Sequence, residues 1–467
     1  GNDVFDYKRL INVLEAEMYK FQADINNIAD GNMPKLSLAG DPIKIVTEQA
    51  RKLKQFTGKT FYLLIDEYEN LLDSQQQIVN TLLKHVPQSY TIKIGVREMG
   101  WRIKHTMNPQ ESVIDPADYV LFNIVDEFTY ETPDKFESFA REVCQLRIKD
   151  MLGEDGVNFD IEQALGSLPY EDEAVRLGVE QTIQYKNIIE YEKTGGEVLE
   201  ISPLYKFFIA YWAENHNLTL KDEIVDYLNN TKTWNTRYEN YKYSLLFKIR
   251  TGRGSSGIQK YYAGWNTFVK LANGNIRYLM ELVYRSYCLY LQEGGDITKP
   301  VTADIQTKAA RNVGWKNLTE LEGTWSKGAQ LTRMVQTLGT IFARLAKEGE
   351  NSAPETVQFE IEGERSDRTE DLLQAGIMNL ALVRMPANKQ SGRGSVKEFM
   401  YSLHPIFAPF FIYSFRRKRK MGLSDAEFLL CVDNPKNAVK DILNRRNVKV
   451  DDEEGETMNQ LSFDFGD

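Results

Sequence analysis

The chain has little of what builds small secreted or metal-bound folds. Among its 467 residues only three are cysteine (Cys144, Cys288 and Cys431) and only four are histidine. The cysteines stand far apart, which excludes a disulfide framework and a cysteine-based zinc site. The scattered histidines argue against a His-rich metal cluster. No stretch reaches the ~20 consecutive apolar residues of a membrane span, and the opening GNDVFDYKRL carries no secretory pattern. A cytoplasmic protein that does not enter a membrane is expected. What is present in quantity is apolar material. The chain is 42% hydrophobic, 11% aromatic and 27% charged, which excludes wholesale disorder. At roughly 100–200 residues per domain, about three domains are expected.

The formal charge of −10, from 57 basic and 67 acidic residues, looks wrong for a nucleic-acid partner until it is located. Residues 451–467 (DDEEGETMNQLSFDFGD) hold seven acids and no base, so the rest of the chain sums to −3. Residues 384–420 hold nine bases (Arg384, Lys389, Arg393, Lys397, Arg416, Arg417, Lys418, Arg419 and Lys420) against one acid, Glu398. Local charge, not the total, sets the potential that a phosphate backbone would meet. A basic wedge precedes an acidic tail.

Periodicity organises the rest. Leu14, Met18, Phe21, Ile25 and Ile28 form an apolar stripe at helical spacing within 7–29. Asp41-Pro42 should open a second helix, with Asp41 as its cap. The run Phe61–Ile65 reads as a strand buried on both faces, as in a parallel sheet. A helix from Asp73-Ser74 to about His85 follows, then strands at 90–97 and 119–125, so the first part reads as α/β with parallel strands. From Thr132-Pro133 to about Leu291 the pattern is almost wholly helical. A third region carries helices at 303–313 and 328–347, a strand at 357–361, a helix at 367–374 and strands at 379–385 and 397–403. The loop between the last two is PANKQSGRGS, flexible and basic. That order outlines a winged-helix domain with a very short middle helix.

The strongest chemical motif is Leu63-Leu64-Ile65-Asp66-Glu67. It would present two adjacent carboxylates at the strand end where α/β folds bind ligands. In a P-loop ATPase such an Asp holds Mg²⁺, usually through water, and the Glu orients or deprotonates the attacking water. The same pattern also suits an acidic strand end that caps a neighbouring helix. Further on lies Leu271-Ala272-Asn273-Gly274-Asn275-Ile276-Arg277. Gly274-Asn275 can break one helix and cap the next, which puts Arg277 in a first helical turn. From there it could swing onto a phosphate, or simply snorkel over the helix surface.

In this order, strand-Asp-Glu, strand-Arg, a helical region with Gly-Asn-x-Arg and a winged helix, the chain resembles the origin-recognition-complex-like (ORC-like) AAA+ ATPases. The resemblance, particularly to bacterial members sharing sensor features with STAND ATPases, covers about residues 60–420. The resemblance implies an incomplete P-loop parallel-sheet core (1–131), a helical lid (132–291), a winged helix (292–420) and a C-terminal helix with an acidic tail (421–467). Asp66 and Glu67 would be the Walker B pair, with Asp66 on Mg²⁺. Arg97 would be an arginine-type sensor 1 and Arg277 sensor 2, with Asn275 beside it at the nucleotide. ATP and Mg²⁺ are the implied cofactors. The family's winged helix binds duplex DNA, which implicates Arg384, Lys389, Arg393 and Lys397, with Arg416, Arg417, Lys418, Arg419 and Lys420 near further phosphates. Arg102, Arg250 and Arg253 are weighed as arginine fingers against ordinary surface residues.

One departure from the pattern is severe. No G-x-x-x-x-G-K-[ST] loop occurs, although the family needs one to cradle phosphates. Gly58-Lys59-Thr60 is a decoy, because Leu53 occupies the place of the first glycine and a strand follows instead of a helix. Either a P-loop precedes residue 1 or this chain does not bind nucleotide by the usual route; the retained Asp66, Glu67, Arg97 and Arg277 favour the first. The expected function is an ATP-driven, DNA-associated switch, in phage defence, transposition or replication, with ATPase activity if that segment exists. Self-association or a protein effector would be its further partners. The alternative is a non-hydrolysing adaptor whose winged helix docks a protein.

Overall fold

The computed structural model describes residues 7–27, 29, 37, 40–124, 133–152, 159–250, 257–323, 327–348, 355–386 and 399–448. The protein is mixed α/β and mostly helical, with two small sheets. It divides into two compact units, Gly1–Phe122 and Asn123–Asp467.

The first unit contains α1 (Tyr7–Asn26), α2 (Asp41–Ala50), β1 (Phe61–Ile65), α3 (Asp73–Lys84) and β2 (Tyr90–Ile94). Strands β1 and β2 pair in parallel from Phe61↔Tyr90 to Ile65↔Ile94, with α3 as the crossover that parallel pairing requires. Three expectations need correction. The β1 strand is not buried on both faces, since Tyr62 and Leu64 on one face are 58% and 75% exposed. Residues 119–124 form no strand. Instead Tyr119 packs on Trp101 at 4.7 Å between centroids, and Asp118 pairs with Lys84 at 2.7 Å, so the segment is tied to side chains and not to a sheet edge. The cap of α2 is Gly40 at φ 88°, with Asp41 and Pro42 as the first two helical residues. The apolar stripe of α1 is exposed at Leu14, Met18, Phe21 and Ile25.

Polar side chains hold this unit together. Gln76 and Asn80 on α3 are fully buried. The Gln76 amide donates to the carbonyls of Tyr68 (3.3 Å) and Gly100 (3.0 Å), and that of Asn80 to those of Ile103 (2.9 Å) and His105 (3.0 Å). The buried Tyr68 hydroxyl donates within 3.1 Å of both Asn80 Oδ1 and the Gln76 carbonyl. Buried amides must find such partners, and here they fasten the segment after β1 to the segment after β2.

The second unit opens with helices α4 (Pro133–Leu152), α5 (Ile161–Leu165), α6 (Tyr170–Leu177), α7 (Ile183–Lys193), α8 (Pro203–Asn215), α9 (Leu220–Asn229), α10 (Thr231–Leu245), α11 (Trp265–Ala272) and α12 (Ile276–Gln292). The Ser202 hydroxyl caps α8 by accepting from the Tyr205 N–H, and Pro203 takes the first helical position. Aromatic packing forms the core around α8. Tyr205 stacks on Tyr238 at 4.1 Å, and Phe208 meets Trp234 edge-on at 5.7 Å. Lys260 is buried with Glu173, its ammonium donating to both carboxylate oxygens (2.8 and 3.1 Å) and to the Tyr261 carbonyl (2.9 Å). All three ammonium hydrogens are used, as burial of a charge demands.

The chain continues through α13 (Ala303–Gly323), α14 (Gly328–Glu348), β3 (Thr356–Glu362), α15 (Asp367–Met378), β4 (Leu382–Pro386), β5 (Phe399–Leu403), α16 (Ala408–Phe411), β6 (Arg419–Ser424), α17 (Asp425–Asp433) and α18 (Pro435–Asn444). Leu331, Met334, Val335, Leu338, Ile341, Phe342 and Leu345 of α14 are all buried. The sheet order is β4-β5-β3-β6. Strands β4 and β5 form the expected antiparallel hairpin, Leu382↔Leu403 to Pro386↔Phe399. Strand β6, parallel to β3, was not expected. The basic run 416–420 leads into this strand, which begins at Arg419. Its charges mask the short alternation in which Met421 and Leu423 point inward. The loop 387–398, expected to be a wing, and the acidic tail 451–467 lie outside the described residues.

Candidate functional site

The Asp-Glu pair sits where β1 ends. Both side chains are exposed. The Gly95 N–H donates to the Ile65 carbonyl at 2.8 Å and the Tyr68 N–H to the Gly95 carbonyl at 3.1 Å, so the chain after β1 turns across the end of β2. Glu67 makes that turn in the left-handed region, at φ 51° and ψ 43°. Asp66 Oδ1 accepts from the Glu67 N–H at 2.9 Å, and Glu67 Oε2 accepts from the Asn70 amide at 3.1 Å. A Cβ on Gly95 would fall 2.9 Å from Asp66 Oδ1, so glycine there leaves room for the carboxylate. Among the described residues neither acid has a cationic partner.

Arg97 stands three residues beyond β2, not on the strand itself. Its Nε lies 3.0 Å from Glu69 Oε1, and its backbone N–H donates to Glu69 Oε2 at 3.2 Å. Glu69 is 8% exposed on its side chain and Arg97 50%. The arginine therefore clasps an inward-held acid two residues past Glu67. Arg102 is a structural tie, with Nε at 3.0 Å from Asp73 Oδ1, Nη1 donating to the Glu69 carbonyl at 2.7 Å and Nη2 to the Leu71 carbonyl. Arg250 donates to the Ile258 carbonyl at 2.9 Å, and Arg253 lies outside the described residues.

In the second unit Asn273 ends α11 in the left-handed region at φ 48°. Asn275 caps α12, its Oδ1 accepting from the backbone N–H groups of Arg277 (3.0 Å) and Tyr278 (3.4 Å). The exposed Arg277 side chain has no hydrogen-bond or ion-pair partner among the described residues. Two contacts escaped sequence reasoning. Arg417 Nη2 donates to Asn273 Oδ1 at 2.6 Å, and the ring of buried His404 meets Tyr278 edge-on at 4.9 Å. Burial, with the nearby Arg417 charge adding to it, pushes the His404 imidazole down to about 3. Its Nδ1 accepts from the Ile406 N–H at 3.2 Å, as only the neutral ring can. The turn that presents Arg277 is thus joined to the strand region that follows it.

The basic wedge is partly committed to internal partners. Arg384 on β4 lies over Phe399 at 4.4 Å, Arg416 over Tyr243 at 4.8 Å, and Lys420 pairs with Glu360. Lys418 and Arg419 are exposed. Lys389, Arg393 and Lys397 lie outside the described residues.

A model of the ORC-CDC6-like family matches residues 2–423. The chain belongs to the ORC-CDC6-like family. No curated protein and no solved structure gives a significant match. An ORC-CDC6-like chain carries an AAA+-type, ATPase-related function, and the family generally binds ATP with Mg²⁺ and is generally DNA-associated. No helix among the described residues is long and apolar enough to cross a membrane. Asp66 suits Mg²⁺ chemistry. Mg²⁺ is usually held by one or two carboxylates with waters and phosphate oxygens, and Asp66 offers an exposed oxygen with no cation against it. Gly58-Lys59-Thr60 lead into β1 and not into a helix, so they do not form a phosphate cradle.

Proposed function

We propose that the protein is an ATP-dependent, DNA-associated switch built from a P-loop-type parallel-sheet core (1–131), a lid (132–291), a winged helix (292–420) and a C-terminal segment (421–467). The observation that carries the reading is the exposed Asp66-Glu67 pair at the C-terminal end of a parallel strand, in a chain of this family. In it Asp66 would hold Mg²⁺, whose charge would offset that of the phosphates. Glu67 accepts the proton of the attacking water, from a turn that fixes its backbone. Arg277 approaches phosphate from the lid, steadied by the Asn275 cap, and Arg97 senses phosphate by exchanging Glu69 for it. Arg384, Lys389, Arg393 and Lys397, with Lys418 and Arg419, meet the DNA backbone. The preserved helix–strand–helix–hairpin order of α14, β3, α15, β4 and β5 supports the winged-helix reading.

A second reading, a non-hydrolysing adaptor whose winged helix docks a protein, is favoured by the ion pair that already occupies Arg97. The two separate on one experiment. Glu67→Gln, in protein carrying any native segment that precedes residue 1, should keep ATP binding and lose hydrolysis by about 10²-fold or more, the usual worth of a general base. Equal turnover in the variant removes Glu67 from the chemistry, and no turnover in either protein supports the adaptor.

A further inference from the structure

Helices α4, α12 and α13 enclose a groove of about 1280 Å³. Its floor is apolar, with Val283, Tyr287, Val313 and Trp315, and four arginines line it: Arg147, Arg277, Arg285 and Arg311. Among the described residues none of the four has a carboxylate partner. The acid lining the groove, Glu281, is already taken by Lys316 Nζ (2.5 Å) and the Asn317 amide (3.1 Å). Two polar atoms in the wall are buried without a hydrogen-bond partner among the described residues, Arg311 Nε and the hydroxyl of Tyr287, a residue only 8% exposed. Buried donors are ordinarily satisfied, and like charges gathered round an apolar floor are ordinarily offset. The groove calls for an anionic ligand with apolar side chains.

The chain itself contains such a segment. Residues 451–467 hold seven acids and no base, five of the acids within 451–456, followed by Leu461, Phe463 and Phe465 with Asp464 between the two phenylalanines. We propose that this acidic, aromatic tail docks intramolecularly into the α4–α12–α13 groove, with its phenylalanines on the apolar floor and its carboxylates on the unpaired arginines. The reach is sufficient. From Val448, the last described residue, to Phe463 the extended chain spans up to about 50 Å, against a radius of gyration of about 20 Å for a unit of this size. Tethering at such length gives an effective concentration in the ~mM range, so a contact as weak as several mM still populates the groove, in the range where occupancy follows affinity. Arg277 lies on the same groove, so docking would withhold it from phosphate; that consequence, unlike the docking, rests on the role proposed for Arg277 above.

The test uses the full chain with p-benzoylphenylalanine in place of Phe463. Irradiation and peptide mapping should place the cross-links in 133–152, 276–292 and 303–323. Arg147→Glu with Arg285→Glu should lower their yield by about fivefold or more, the worth of two exposed charge pairs. The tail variant Glu453→Lys, Glu454→Lys, Asp464→Lys should lower it likewise on the unaltered groove, a change that leaves every described element untouched. Combining the two sets should restore the yield. Cross-links mapping to 384–420, or a yield that neither set alters, would overturn the proposal. So would cross-links between two chains that grow with protein concentration, since these assign the groove to another copy.

Discussion

Replacing Glu67 by alanine and by glycine separates two properties of one turn. Glu67 holds φ 51° and ψ 43°, where an L side chain costs about 1–2 kcal/mol against the right-handed region. Glycine escapes that cost but gains unfolded-state freedom worth about 0.4–1 kcal/mol. Both variants lose the exposed hydrogen bond from Asn70, so that term cancels between them. The glycine variant should therefore be the more stable of the two by about 0.5–1 kcal/mol. Urea unfolding followed through Trp101, which packs edge-on against Tyr68 at 5.9 Å, reports the first unit selectively if the other tryptophans are changed to phenylalanine. With a slope near 1.5 kcal/mol per molar, the midpoints should differ by about 0.3–0.7 M. Under the proposed function both variants are hydrolytically dead, so glycine would raise stability relative to alanine without recovering activity. That is the behaviour of strain kept for function. Coincident midpoints for the two variants would show that the left-handed geometry at Glu67 stores nothing, and the reasoning about this turn would fail.

Two further outcomes follow from other parts of the chain. The buried His404, at about 3 in the folded state against about 6.5 unfolded, favours folding only while neutral. Its contribution is complete above pH ~6.5 and is lost as pH falls toward 3, by about 1.4 kcal/mol per unit; His404→Asn should remove that slope from denaturant midpoints taken between pH ~6.5 and ~4.5, and an identical pH dependence in the variant refutes it. For duplex DNA, a contact to about four phosphates gives a slope of log affinity on log salt near −3 to −4. Changing Lys389, Arg393 and Lys397 together to alanine should flatten it by about 2–3 units, and an unaltered slope excludes the wing as the DNA contact.

The elements legible in the sequence were those whose side chains alternate in a single environment. The α14 stripe from Leu331 to Leu345 is buried as its spacing implied, and the Asn275 cap stands where Gly274-Asn275 placed it. Reading failed where a neighbour decided the outcome. Five apolar residues in a row at 61–65 cannot say whether a second layer covers the strand, and on Tyr62 and Leu64 none does among the described residues. The run at 119–124 has strand-forming side chains, but Trp101 and Lys84 claim Tyr119 and Asp118. At β6 a block of positive charge concealed two inward apolar residues. Glu69, Gly95 and Asn273 were invisible for a related reason. Each matters through a contact across chain separation, and only the Asn-Gly-Asn sequence hinted at the last.

Arg97 shows how such a hidden contact changes a mechanistic reading. From sequence it is an arginine at a strand end; in the fold it is one half of an ion pair with Glu69. A pair half-open to solvent on the arginine side contributes little, typically about 0–1 kcal/mol. A phosphate with a fuller charge and three acceptor oxygens competes well against a single carboxylate for such a guanidinium. The Glu69 carboxylate released by that exchange would stand two residues from Glu67, and the Arg97 N–H that also donates to it would be freed. The arrival of phosphate would thus be felt in the turn that carries the Asp-Glu pair. On this view the ion pair is the resting position of a sensor and not a substitute for one, and the observation that favours the adaptor becomes compatible with the switch.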